Sequence, residues 1–174
     1  GQPPLHKMPI CSKEIHIFDD GENYQIEPEV SILCDVQYKG NQVVQLLPRY
    51  AMAHNDCSIR KKGATKISEK KNWGPHTKGV SEQRIAIDHF RPRGILDHYQ
   101  LSSYLIREHT LHPYGVSSPV LGYQYFHDTL LNWLCDRLVN QQDEGPLENL
   151  MNWLKMASYP TQFLISIGAT KYTD

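Results

Sequence analysis

Residues 24–47, "YQIEPEVSILCDVQYKGNQVVQLL", read as two long strands around a turn. Ile, Val and Tyr recur through both halves, and "YKGNQ" at 38–42 supplies the reversal, so the segment forms a hairpin. Pro28 has no N–H to give, which places its strand at a sheet edge or makes it locally irregular. Positions i and i+2 on a strand share a face, so Glu27 and Glu29 stand side by side, about 6.5–7 Å apart along the backbone. Two like charges beside an apolar sheet repel each other and resist desolvation, and a divalent cation relieves both problems. Oxygen-only ligands favour Mg2+, Mn2+ or Ca2+ over zinc or copper. Spacing alone leaves open a second reading, two ordinary solvent-facing glutamates.

Outward from the hairpin, "EIHIF" (14–18) continues the β pattern on the N-terminal side. "RKKGATKISEKK" (60–71) is basic and polar, an exposed loop or a short irregular helix. "HYQLSSYLIRE" (98–108) and "TLHPYGV" (110–116) read as two further strands. In "GYQYFHDTLLNWLCDRLVNQQ" (122–142), Phe126, Leu130, Leu131, Leu134 and Leu138 fall at helical spacing. A second helix is expected to start near Pro146, a favoured first-turn residue, to bury Leu147, Leu150, Met151 and Leu154, and to end before Pro160. "FLISIG" (163–168) then forms a late strand. The expectation is one α+β domain over residues 1–174, strand-rich in front with two late helices.

With 18 Lys+Arg against 19 Asp+Glu and a net charge of −1, the global balance recruits neither nucleic acid nor membrane. Cys11, Cys34, Cys57 and Cys135 show no C-x-x-C spacing, which speaks against a zinc ribbon or disulfide scaffold and for a reducing cytoplasm. No apolar run reaches a transmembrane length, and "GQPPLHKMP" lacks a signal-peptide core. Cys57 beside Asp56 lacks an orienting third group and reads as a small buried residue rather than a nucleophile. His89, His98, His109, His112 and His127 have no metal-binding spacing, so no zinc site is expected of them. Trp133 and Trp153 suit a core or interface on the two helices. The charges of residues 60–71 could grip phosphate, but without interleaved aromatics a solvated loop is the simpler reading and nucleic acid is not the expected partner.

Glu27-x-Glu29 followed about thirty residues later by "NDCSIRK" (55–61) resembles the fumarylacetoacetate hydrolase (FAH) superfamily, in a divergent bacterial branch. The resemblance implies an FAH-like fold of mixed sheets in a β-roll. It makes Glu27, Glu29 and Asp56 ligands of Mg2+ or Mn2+, with Ca2+ able to substitute in a crystal, and turns Arg60 toward the substrate. "NWGPHTKGVSE" (72–82) resembles the segment carrying the family's catalytic lysine, which implicates Lys78. "LMNWLKMASYPTQFLISIGAT" (150–170) resembles the glycine-rich substrate loop and implicates Gly168 and Thr170.

The pattern also departs from the family. Lys61 stands where Asp is usual, T-G-T becomes I-G-A-T, and hydrolytic members carry a His–Glu lid pair roughly forty residues before the E-x-E strand. Only 26 residues precede Glu27, and His6 and His16 are too close to serve as that histidine. The resemblance therefore implies either a fragment or a relative shortened at both ends. Its expected substrates are small 2-oxo or diketo acids, cleaved by acylpyruvate hydrolysis or decarboxylation through an enolate that the metal stabilises, in a homodimer. The alternatives are a non-catalytic binding or scaffold protein on the same fold, and a nucleic-acid binder using residues 60–71.

Overall fold

The computed structural model describes residues 10–18 and 23–171. The hairpin read from residues 24–47 is its centre. β3 (Pro28–Lys39) and β4 (Gln42–Asn55) pair antiparallel from Pro28↔Asn55 to Lys39↔Gln42, and Gly40 takes φ +60° in the reversal, where a side chain is strained. Three short strands complete one side of the sheet: β1 (Ile10–Cys11), β6 (Lys78–Val80) and β7 (Ile85–Ala86). β10 (Gln162–Ala169) completes the other. The order is β1-β6-β4-β3-β10, with β7 also on β4. β1 runs parallel to β6 and the other pairs are antiparallel, so the sheet is mixed. β2 (Tyr24–Gln25) pairs with β5 (Ser58–Ile59), and β8 (Gln100–Arg107) forms a separate hairpin with β9 (Thr110–Pro119).

Period-two alternation on β3 sorts its residues onto two faces. Val30, Ile32, Cys34 and Val36 enter the core with Val43, Leu46 and Ala51 of β4, and α2 (His127–Asn140) covers this layer through Leu130, Leu131, Leu134 and Leu138. α3 (Leu150–Met156) adds Leu154 to the same core. Glu29 and Ser31 belong to the opposite parity, so Glu29 leaves the sheet away from the helical layer. That alternation is what makes a carboxylate tolerable on a central strand.

The architecture is a β-rich α+β arrangement, with departures from the sequence expectations. β3 lies between β4 and β10, so it is no edge strand; Pro28 is its first residue, where a missing N–H does no harm. Residues 14–18 form no strand, because past Cys11 nothing in the sheet offers them a ladder. The second helix begins at Leu150, not Pro146, since Asn149 supplies a cap by accepting the Asn152 N–H at 3.0 Å. Within the basic stretch, Ile67–Lys71 is a short helix, α1. Trp133 is 44% exposed and packs on Tyr125 rather than in the core. Among the described residues no helix is long and apolar enough to cross a membrane.

Candidate functional site

The hairpin register and two hydrogen bonds gather the acidic residues. Glu27 and Glu29 flank Pro28 at the start of β3, and β4 ends opposite them at Asn55. The Asp56 N–H then donates to the Glu27 carbonyl at 2.9 Å, and the Asn55 side chain accepts the Glu27 N–H at 3.2 Å. Carboxylate oxygens of Glu27, Glu29 and Asp56 consequently lie within 4.8 Å of one another.

All three acids are largely withdrawn from water, Glu29 most of all at 9% exposure. Burial pushes the Glu29 carboxyl above its ordinary value, against the opposing bond donated by the Ser166 hydroxyl from β10. Ser58 donates to Glu27 from β5. Tyr123 stands close enough to Glu29 to feel it: burial first, then that negative charge, pushes its phenol up to about 12.

Two lysines reach into the cluster. Lys71 places Nζ 2.5 Å from Glu27 Oε2 and 2.6 Å from Asp56 Oδ2. Burial acts to lower its pKa, but the bonds to Asp56 and Glu27 outweigh it and hold the ammonium above its ordinary value. Lys71 belongs to α1, which the 143–148 segment pins in place: the Ile67 N–H donates to Pro146 O at 3.0 Å, Ser68 to Glu148 at 2.8 Å, and Lys66 to Asp143 at 2.6 Å. Lys78 enters from β6, buried, with Nζ 2.9 Å from Asp56 Oδ1 and a second bond to the Cys57 carbonyl. Here burial prevails and lowers the ammonium's pKa, with Asp56 opposing. The Trp73 ring lies 5.1 Å from Lys78 Nζ.

Of the residues singled out from sequence, Glu27, Glu29, Asp56 and Lys78 thus converge. Arg60 sits at the rim, about half exposed, bonded to Gln25 and 3.5 Å from Glu27. Gly168 lies one register step from Glu29 on β10, at a bulge with φ +143°. A Cβ there would stand 3.0 Å from the Tyr123 ring, and its carbonyl accepts the Tyr123 hydroxyl at 2.8 Å. Thr170 is buried against Gly115, where an added Cβ would meet its hydroxyl at 2.4 Å. Cys57 is fully buried and its thiol is raised by that burial, as befits a core residue. His6 lies outside the described residues.

Sequence reasoning missed Lys71, Ser58, Ser166 and Tyr123. Lys71 was hidden among six basic residues, of which Arg60, Lys66 and Lys71 are in fact held by acids. A family model described as a family of unknown function (DUF5718) matches residues 2–174. No curated protein and no solved structure matches the chain.

Proposed function

The chain belongs to that family, and from its site we propose a hydrolase or lyase, dependent on Mg2+ or Mn2+, that acts on C–C bonds of small 2-oxo or diketo acids within an FAH-like fold. The observation that carries the reading is the convergence of Glu27, Glu29 and Asp56. Three largely buried carboxylates with only oxygen to offer match the donor set of a hard divalent cation. When bound, such a cation supplies Lewis-acid stabilisation of charge on an oxo acid's oxygens.

The remaining steps belong to the chain's own residues. Glu27, Glu29 and Asp56 hold the cation. Lys78 presents a fixed positive charge from a buried position, where developing negative charge is stabilised without reorganisation. Arg60, at the solvent rim, is placed to meet a substrate carboxylate as a bidentate donor. Gly168, on β10, and Thr170, just past its end, contribute to the substrate loop. The resemblance adds a homodimer in the cytoplasm, checked by sedimentation.

A second reading rests on Lys71. Its ammonium already neutralises Glu27 and Asp56, so the cluster could be a structural network in a non-catalytic binding protein. Calorimetric titration of metal-stripped protein with Mg2+ and Mn2+ separates the two, run beside a Glu27→Ala/Glu29→Ala double mutant. Saturable binding lost in the mutant, followed by turnover of oxaloacetate or an acylpyruvate, supports the enzyme. Absence of binding by folded wild-type protein leaves the network.

A further inference from the structure

We propose that Glu14, His16 and His76 form a second metal site, chemically distinct from the carboxylate cluster, that takes Zn2+. A carboxylate oxygen of Glu14 and one ring nitrogen from each histidine lie within 4.8 Å of one another. The segments are distant in sequence, and hydrogen bonds fasten them together. The His16 N–H donates to the His76 carbonyl at 2.8 Å, and the Trp73 indole N–H donates to the His16 carbonyl at 3.4 Å. The two imidazoles stack, with centroids 4.4 Å apart and planes 20° from parallel.

One feature of His76 points to a ligand. Its Nδ1 is buried with no hydrogen-bond partner among the described residues, although buried ring nitrogens are normally satisfied. Coordination of a metal by an imidazole lone pair meets that need where no donor does.

Two imidazoles and one carboxylate are a three-residue zinc set that leaves a position for water or a small ligand. Imidazole donors favour Zn2+ over Mg2+, the reverse of the all-oxygen cluster. Exposed Glu14 and His16 open the site to solvent, and Glu14 also lines a cleft of about 330 Å3 with His54, Asn55 and Gly79. Trp73 separates the two sites, its indole N–H on His16 and its ring facing Lys78. The inference does not depend on the oxo-acid reading.

The test uses the full chain without a histidine tag, stripped of metal and titrated with Co2+ by visible absorption and with Zn2+ by calorimetry. One equivalent should bind with a four- or five-coordinate Co2+ spectrum, and binding should survive in Glu27→Gln/Glu29→Gln. His76→Gln and Glu14→Gln should each weaken it by more than the ~10-fold that loss of an outer-shell partner costs. Glu14 is exposed, so its variant keeps the test valid even if His76→Gln fails to fold. Absence of saturable binding by folded wild-type protein, binding unchanged in Glu14→Gln, or binding lost in Glu27→Gln/Glu29→Gln would each overturn the proposal.

Discussion

Lys71 grips Asp56 twice, with Nζ 2.6 Å from the carboxylate Oδ2 and 3.1 Å from the backbone carbonyl of the same residue. Since that ammonium also bonds Glu27, it occupies the space in which the carboxylates converge.

Removing it should therefore have opposite effects on stability and on cation affinity. Lys71→Met leaves two largely buried carboxylates without their nearest positive charge, and the metal-free protein should lose about 1–3 kcal/mol. Mg2+ should bind the variant more tightly than wild type and restore much of the loss, as seen in denaturant unfolding with and without the ion. Unchanged or weaker Mg2+ binding would show that ammonium and cation do not compete for one place.

Glu29 fixes a pH dependence. Its folded carboxyl is raised above the ordinary 4.5 by burial. A raised acid binds its proton more tightly when folded, so its contribution to stability is fully present below about pH 4.5 and is lost as pH rises through the folded value. Glu29→Gln should remove this slope and make the metal-free protein more stable near neutrality. A stability–pH profile identical to wild type above pH 4.5 would contradict the assignment.

Gly168 should tolerate no side chain. Gly168→Ala meets both a φ of +143° and the Tyr123 ring at 3.0 Å, so a loss of about 1–3 kcal/mol is expected. Tyr123→Phe removes only the hydroxyl bond to the Gly168 carbonyl and should cost about 1 kcal/mol. Equal denaturant midpoints for Gly168→Ala and wild type would mean that the bulge relaxes freely.

Lys78 offers a test of the proposed chemistry. Lys78→Met keeps most of the buried side-chain volume and all three carboxylates while removing the charge beside Asp56. Turnover of a responsive oxo acid should fall about 100-fold with Mg2+ binding retained. Turnover at the wild-type rate would remove Lys78 from the mechanism.

The sequence by itself determined the parts whose physics is local. Alternating apolar residues around Lys39–Gly40–Asn41 make the β3–β4 hairpin, the 3.6-residue spacing from Phe126 to Leu138 makes α2, and the parity of Glu29 against Val30 and Ile32 turns a carboxylate away from the core. The pairing of Glu27 with Glu29 was visible in their spacing, whereas Asp56 entered only through the family resemblance and meets them because β4 ends opposite the start of β3. Tertiary structure alone decided the rest. Pro28 came to open a central strand because β10 returns from residue 162 to pair with β3, a long-range event that no local pattern encodes. Residues 14–18 have strand propensity but no ladder to join, and propensity without a partner makes no strand. Lys71 became the counter-ion of the acids because the 143–148 segment pins α1, and His16 met His76 through a backbone bond across sixty residues of chain. Those encounters depend on packing between distant segments, which sequence spacing cannot express.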